Sequence, residues 1–432
     1  GLGSMAGAEL VQSIAEAYVG PAKVQRLLFI AEHSAELRQP ALRLALTELS
    51  ASLNTALYSD VIDKRLAGAC AELGIVRNAA WVEATDRRAQ QQVDKIEHDL
   101  SAAKTSLNKE AIRSCHNQLG DLHAERGDYG AALKSYVRAR DYCTTTQHVV
   151  GMCLNVVKMS VLLGNYTHVL TYVAKAEQAA DAAEPQLLGQ LRACAGLAQL
   201  ESSKYKLAAK KLAECASEAG SAELVLPRDI ALCGGLCALA ALSRAELRKS
   251  VLESAPFRAL LDGVPRLRDA INAFHAARYA DCLRELEALK PELLLEPFLH
   301  SHVDRLCAQV RTKALVSHFL PYRTVSMAAM AAAFSTDLPA LEQELVALIT
   351  DGTISARIDT AAGVLYAQRA EGRAASFRKA ARMGDEYAHE AKALLLRVNL
   401  LRADLVVRRD DQHGHGGGAQ AGSVGRQRGF AI

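Results

Sequence analysis

The chain has 432 residues, a formal net charge of +3 and an aromatic content of only 5%. A nearly neutral charge excludes a general electrostatic attraction to nucleic acid or to an anionic membrane surface. The length predicts two or three domains, and the abundance of alanine and leucine favours helices that pack through small side chains. We find no signal peptide and no apolar run of 18 residues, and therefore expect a soluble intracellular protein.

Ten cysteines are scattered along the chain, mostly within apolar helical stretches. Such cysteines behave as small buried hydrophobic residues, and disulfides are rare in a reducing compartment. A zinc site would need two ligand pairs at suitable spacing, whereas only Cys233 and Cys237 form a close pair. We therefore expect these thiols to be free and structural.

The N-terminal quarter of the chain predicts helices. Residues 1–4 are typical of an expression-tag remnant and are set apart from the helical region, 5–110. Gly20-Pro21 separates two helices, because proline begins a helix but does not continue one. The stretch Trp81–Leu107 is polar and has no breaker, which predicts one extended helix with a largely solvated surface.

Residues 111–317 contain the strongest regularity, three helical hairpins with the spacing of tetratricopeptide repeats. One tyrosine occupies the same slot of each unit, at Tyr129, Tyr166 and Tyr205. Small residues such as Gly120 let the paired helices approach closely, and a weaker unit recurs at Arg278–Leu289. Each hairpin has an apolar face that it cannot bury alone, so neighbouring units are expected to stack into a solenoid.

Residues 318–368 predict a winged helix at the end of this solenoid. Ser326 can cap a short apolar helix, Met327–Phe334, and a second helix follows at Leu338–Thr350. Gly352 ends the second helix, because glycine accepts the left-handed conformation found there. Alternating apolar and polar residues then predict two short strands, Ile354–Asp359 and Val364–Ala367.

A winged helix suggests nucleic-acid binding through its second helix. From Asp337 to Gly352, however, there are four acidic residues and no Lys or Arg, so this helix would be repelled by phosphate. A nucleic-acid binder would have to use basic patches elsewhere, at Lys204–Lys211 or Arg369–Arg382. Pairing with another protein through a strand edge is the better interpretation. The residues predicted at this edge are Ile354, Ala356, Arg357, Ile358, Val364 and Tyr366.

Residues 369–409 predict a long C-terminal helix with a heptad-like apolar stripe. The stripe predicts contacts with partner helices, and the alternative is a helix folded back onto its own domain. The predicted contact residues are Tyr387, Leu394, Val398, Leu401 and Leu405. Residues 410–432 are rich in glycine and polar residues, and we expect them to be disordered.

The search for catalytic motifs is negative. There is no glycine-rich phosphate loop and no Gly-x-Ser-x-Gly elbow. His300 and His302 match the His-x-His pair of one metalloprotease class, but Lys313 stands where that class needs an aspartate, and a second pair at 413–415 falls in the tail. The pattern places no base beside Cys143, so we interpret this cysteine as part of a helix junction. We predict no catalytic residue, no cofactor and no metal site.

Seven segments carry a resemblance to a known family: Lys23–His33, Trp81–Ala89, Arg138–His148, Tyr172–Gln178, Lys204–Leu212, Gly234–Ala240 and Leu348–Asp359. The chain resembles the PCI family, which supplies subunits of the proteasome lid, the COP9 signalosome and translation initiation factor three. The run RDYCTTT makes the likeness to a signalosome subunit the strongest. The fold class is mainly α, a tetratricopeptide-like solenoid capped by a C-terminal winged-helix (PCI) module and a long C-terminal helix.

The resemblance implies a non-catalytic scaffold. The signalosome removes the ubiquitin-like protein NEDD8 from cullin-RING ubiquitin ligases, and a separate zinc metalloprotease subunit carries out the catalysis. Family members join their winged helices edge to edge and gather their C-terminal helices into a bundle. The implied partners are other PCI subunits, the metalloprotease subunits and cullin-RING components, and the implied location is the nucleus and cytoplasm. Separately, the exposed strand edge and the unfilled heptad stripe predict that the chain can form homo-oligomers when these partners are absent. A proteasome-lid subunit and a winged-helix nucleic-acid binder are the alternatives.

Overall fold

The structure is a computed structural model that describes residues 11–179, 185–216, 219–368 and 372–405. The predicted tag remnant at 1–4 and the predicted tail at 410–432 lie outside the described residues. The chain up to Ala367 forms one compact unit, and the residues from Gln368 onward form a second. The predicted boundaries at 110 and 317 therefore lie inside the first unit. There they separate the N-terminal helices, the helical repeats and the winged helix from one another.

From residue 11 onward, the described part of the N-terminal region contains six α-helices and one turn of π-helix. Their bounds are α1 (11–17), α2 (Gly20–His33), α3 (Arg38–Ala51), α4 (Thr55–Asp60), a π turn (Val61–Arg65), α5 (Ala67–Glu72) and α6 (Ala79–Thr105). Asn54 and Asn78 begin α4 and α6, because each side chain accepts a bond from a free N–H of the first turn. Most of α6 is exposed, as its polar sequence predicts.

Four helical hairpins follow at the predicted positions, and the weaker fourth unit is among them. They are α7 (Lys109–Glu125) with α8 (Tyr129–Ala139), α9 (Thr146–Leu162) with α10 (Tyr166–Gln178), α11 (Pro185–Glu201) with α12 (Tyr205–Ala213), and α16 (Pro265–His275) with α17 (Tyr279–Leu294). Asn108, Asp128 and Asn165 cap α7, α8 and α10 through their side chains. The helical-repeat prediction is confirmed.

Between the third and fourth hairpins lie one buried helix of 15 residues and three short helical segments. They are α13 (Pro227–Ala241), α14 (Arg244–Leu247), a π turn (Arg248–Leu252) and α15 (Ala255–Leu261). Nearly every residue of α13 is buried, because neighbouring helices cover all of its sides. Helix α13 is therefore the central element of the core.

Helix α18 (Val303–Phe319) leads into the winged helix. This module consists of β1 (Thr324–Ser326), α19 (Met327–Phe334), α20 (Leu338–Thr350), β2 (Ala356–Asp359) and β3 (Val364–Ala367). One apolar core runs without interruption from the first hairpin to Leu365 of the sheet. At the junction the rings of Tyr279 and Phe334 stack with centroids 5.6 Å apart. The winged helix is thus packed as the cap of the solenoid.

Gly120 of α7 lies directly against the ring of Tyr136 of α8. A Cβ at this position would lie 2.4 Å from Cε1 of Tyr136, whose hydroxyl donates to Asp121 Oδ1 at 2.6 Å. Because the ring is held from both ends, we expect Gly120→Ala to lower the free energy of unfolding by about 1–3 kcal/mol in denaturant titrations. The control is Gly151→Ala on α9, where a Cβ would meet nothing within 4 Å and alanine should stabilise the helix by about 1 kcal/mol. The same sign of change in both variants would contradict the prediction.

Candidate functional site

The winged helix carries an antiparallel sheet in the strand order β1-β3-β2, so β3 lies in the middle. Leu365 of β3 is opposite Val325 of β1 on one side and opposite Ile358 of β2 on the other. Within the described residues, no strand pairs with the outer edges of β1 and β2. Such edges present backbone N–H and C=O groups in the geometry that strand addition uses.

The alternation of hydrogen bonds shows which groups face the free edge of β2. The N–H of Met327 donates to the carbonyl of Gly363 at 2.9 Å. Because bonded and non-bonded pairs alternate along antiparallel strands, Val325 and Leu365 form the next bonded pair. Leu365 therefore uses its backbone groups toward β1, and the N–H and C=O of Ile358, opposite it on β2, point to the outer edge.

The side chains of the sheet divide between two faces, since successive residues of a strand point in opposite directions. Arg357 and Tyr366 are exposed on the outer face, and Val364 is half-buried there. Ala356 is buried, and Ile358 packs against the core from the inner face. The structure therefore places three of the six predicted edge residues where a partner could touch their side chains.

The predicted start of the strand at Ile354 needs correction. The N–H groups of Thr353 and Ile354 donate to the carbonyl of Leu348, at 3.0 and 3.1 Å, so both residues close the end of α20. Ile354 is only 4% exposed, and β2 begins at Ala356, which is also buried. We therefore assign the side chains of Ile354 and Ala356 to the core, and the interface itself stays a prediction.

Strand β1 was not predicted from the sequence. Its three residues are too few to show an alternating pattern, and Ser326 was interpreted only as a helix cap. Ser326 does cap α19, because its hydroxyl accepts from the N–H of Ala329, but it also ends β1 opposite Val364. The two β-branched residues Thr324 and Val325 are the signal that could have indicated the strand.

Helix α20 has the position of a groove-binding helix but the wrong charge for that role. It carries two glutamates and no Lys or Arg, and Glu344 accepts a bond from Nε of Arg311 at 2.9 Å. The alternative basic patch at Lys204–Lys211 is partly neutralised, because Glu246 lies 3.1 Å from Nζ of Lys206. Phosphate neutralisation needs unpaired cations, so these surfaces favour a protein partner.

Helix α21 (Gly372–Arg402) belongs to the second unit and carries the predicted stripe. The five predicted side chains, between 38% and 74% exposed, are Tyr387, Leu394, Val398, Leu401 and Leu405. The helix ends before residue 409, its predicted end, because Asp404 adopts a left-handed φ of 55°. The N–H of Leu405 then donates to the carbonyl of Leu400 at 3.1 Å, which closes the helix end. Residues 406–409 lie outside the described residues.

A buried ion cluster, which the sequence analysis did not predict, joins α2 to the solenoid. The guanidinium of Arg26 lies 2.8 Å from Asp229 Oδ2 and 2.7 Å from Glu296 Oε2. The Tyr18 hydroxyl donates to Asp229 Oδ1 at 2.6 Å, and the N–H of Leu226 donates to the same carboxylate at 2.9 Å. Asp229 thus has three donors. Burial, followed by the charge of Asp229, raises the pKa of Glu296 to about 7, because one guanidinium cannot offset two buried carboxylates.

The two histidines of the His-x-His pair have structural partners. Nε2 of His302 lies 2.9 Å from Glu201 Oε2, and its Nδ1 lies 3.1 Å from the hydroxyl of Tyr205. Nδ1 of His300 lies 2.7 Å from the carbonyl of Leu294. Across the described ranges, no group of three or more His, Cys, Asp or Glu side chains is arranged to hold a metal ion.

All ten cysteines are free, as predicted, and eight of them are buried. Burial raises the pKa of Cys282 to about 12 and also raises the pKa of Cys143. Sγ of Cys143 donates to the carbonyl of Ala139 at 3.4 Å, at the junction between α8 and α9. Because a thiol rather than a thiolate is favoured there, the interpretation of Cys143 as a junction residue agrees with the structure.

Among the described helices, none has the length and apolarity to cross a membrane.

Comparisons with known proteins agree with this architecture. The model of 26S proteasome subunit RPN7 matches residues 78–250, and the PCI domain model matches residues 280–369. The chain is 45% identical to COP9 signalosome complex subunit 1 of Arabidopsis thaliana, over 91% of this chain and 90% of the relative. It is 34% identical to COP9 signalosome complex subunit 1b of Drosophila melanogaster, over 93% of this chain and 86% of the relative.

More distant similarity reaches a proteasome subunit. The chain is 21% identical to 26S proteasome non-ATPase regulatory subunit 6 of Caenorhabditis elegans, over 76% of this chain and 82% of the relative. The similarity to the signalosome relatives is higher and covers more of the chain. The chain belongs to the family of COP9 signalosome complex subunit 1, within the PCI-domain proteins.

Proposed function

We propose that this chain is a non-catalytic scaffold subunit of the COP9 signalosome. In this role it would support the removal of NEDD8 from cullin-RING ubiquitin ligases, and a separate metalloprotease subunit would perform the chemistry. The observation that carries the proposal is the sheet order β1-β3-β2, which leaves two backbone edges open at the end of a rigid solenoid. The names of the relatives supply the identity of the complex.

The open edges support assembly with other PCI subunits. A strand from a neighbour can extend the sheet at β2, where the N–H and C=O of Ile358 point outward. Arg357 and Tyr366 stand beside this edge on the outer face and would contact side chains of the neighbour. The stripe of α21 would contribute a second contact, in a helical bundle with the metalloprotease subunits and other PCI subunits. Cullin-RING components are further proposed partners, and we propose a nuclear and cytoplasmic location.

Ile358→Pro tests the edge. Proline removes the outward N–H of Ile358 while the bonded pair formed by Arg357 and Tyr366 is retained. We expect the variant to lose co-purification with neighbouring PCI subunits, measured by affinity capture and mass spectrometry. Ile358→Val is the matched control, because valine keeps the N–H, the strand preference and most of the apolar contact. Normal assembly of the proline variant, with both variants folded by thermal melting, would contradict the edge-pairing model.

A proteasome-lid subunit is the second candidate function. The observation that favours it is the match of residues 78–250 to the model of 26S proteasome subunit RPN7. The two complexes are distinguished by the proteins that co-purify with the native chain. Recovery of lid subunits without signalosome subunits would overturn the first proposal and support the second.

A further inference from the structure

A cleft of about 480 Å³ opens between α6, α7 and the 3-10 turn Arg140–Tyr142 that follows α8. The turn is part of the RDYCTTT run, which neither the strand edge nor the C-terminal stripe uses. His116 and Leu119 of α7 line the cleft, together with Lys104 of α6 and Arg138 of α8. A volume of this size suits a small ligand or a side chain of a partner.

His116 is a buried residue whose Nδ1 has no hydrogen-bond partner among the described residues. It is only 5% exposed, and this Nδ1 atom is itself buried. Its ring stacks near Tyr142, with centroids 6.0 Å apart. A buried polar atom without a partner costs free energy, and such an atom often marks the place of a missing ligand or water.

The charges nearest to this imidazole are positive. Burial lowers the pKa of His116, and the charges of Lys104 and Arg138 lower it further. Neither cation forms an ion pair with any of the described residues, and both side chains are exposed at the rim. Two carboxylates, Glu97 and Asp141, also line the cleft, and Asp141 lies 3.1 Å from Arg140 just outside it. Counting Lys104, Arg138 and Arg140 against these two carboxylates leaves a charge of +1 around the cleft.

We propose that this cleft binds a phosphate-class dianion. Arg138 and Lys104 would act as charged donors, because guanidinium and ammonium groups form strong charge-assisted bonds with phosphate oxygens. His116 would become a third donor when it takes up a proton. The same chemistry has two sources, free inorganic phosphate or the phosphoserine side chain of a protein segment, and the experiment separates them.

Binding should be coupled to protonation of His116. A bound anion favours the imidazolium and raises the pKa of His116 above its lowered value in the free protein. The affinity for the anion should therefore rise as the pH falls through the range in which His116 takes up its proton. The charged groups that face the ring are Lys104 and Glu97 on α6, Arg138 on α8 and Asp141 in the turn. Sulfate is the suitable probe for the pH series, because it stays a dianion throughout, whereas a phosphoserine group changes its own charge near pH 6.

The test is a calorimetric titration of the full chain with sulfate at several pH values between about 5.5 and 8. We expect saturable binding that strengthens toward low pH. Lys104→Gln and Arg138→Gln should each weaken it about tenfold, whereas Lys95→Gln and Lys134→Gln, exposed lysines of the same two helices outside the cleft, should leave it unchanged. His116→Gln should flatten the pH profile while some binding remains.

The source of the anion is separated by two further probes, inorganic phosphate and a phosphoserine peptide compared with its unphosphorylated form. If the phosphopeptide binds more tightly than phosphate, the cleft is assigned to a protein segment. If phosphate binds more tightly than the phosphopeptide, the cleft is assigned to the free ion. Equal weakening in the cleft variants and the lysine controls would overturn the proposal, as would a Kd above about 10 mM for every probe.

Discussion

Replacing Arg26 with methionine should lower the free energy of unfolding by about 3–5 kcal/mol at neutral pH. Methionine keeps most of the apolar length of the side chain but removes the guanidinium that bonds to both Asp229 and Glu296. The two buried carboxylates would then lose the cation that bonds to both of them, and desolvated charge without a bonded counter-charge is among the costliest defects in a protein core. Because these contacts join α2 to α13, the N-terminal helices should separate from the solenoid first.

The measurement is denaturant unfolding, combined with hydrogen exchange across α2 and α3. Arg43→Met is the matched control, since Arg43 is exposed on α3 and its loss should change the stability by less than about 0.5 kcal/mol. Equal losses in the two variants would show that the buried cluster has no special role in stability.

Glu296→Gln provides a comparison within the same cluster. The folded-state pKa of Glu296 is raised to about 7, above the ordinary value of about 4.3. The folded protein therefore holds more protons than the unfolded chain between these values, so this group makes stability fall as the pH rises through about 7. Glutamine cannot ionise, so the variant should lack the decrease in stability that ionisation of Glu296 causes. A pH profile identical to that of the original chain would contradict the assignment.

A triple replacement of Leu394, Val398 and Leu401 by aspartate should block incorporation of the chain into the complex. These side chains follow the heptad-like spacing on α21 and are exposed, so a helical bundle would bury them against partners. Three charges in such an interface have no compensating partner. The expected result is loss of the chain from purified assemblies while its own melting temperature stays unchanged.

The opposite side of the same helix supplies the control. Leu396 and Leu400 are equally apolar and exposed, but at 3.6 residues per turn they lie across the helix from the stripe. Aspartate at these two positions should leave assembly largely intact. If the stripe instead folds back onto its own chain, the triple variant would lower the melting temperature, and that outcome would exclude the bundle.

The parts of the fold that are periodic could be predicted from the sequence. Helical hairpins repeat small and aromatic residues at fixed spacing, and Tyr129, Tyr166 and Tyr205 indeed begin the second helix of their units. Glycine and proline also marked helix ends correctly, because their backbone preferences act locally. Gly352, at a φ of +72°, follows α20 as predicted.

The parts that depend on distant contacts could not be predicted. Arg26 stands among apolar residues of α2, and its two partners are 203 and 270 residues away in sequence, so no local pattern pairs them. The same limit explains Ile354, which continues an alternating pattern but is held by the end of α20. The cleft beside His116 is likewise formed by three separate elements, and only the unusual run RDYCTTT pointed to that region.

The sequence separation within the ion cluster also has a consequence for synthesis of the chain. Arg26 leaves the ribosome 270 residues before Glu296, which at 5–20 residues per second is a delay of about 14 to 54 s. During this time the apolar face of α2 can already pack against α3, but the cation of Arg26 lacks its final partners. The N-terminal helices can therefore pack with one another early, but their attachment to the solenoid through Arg26 is completed late although they are made first.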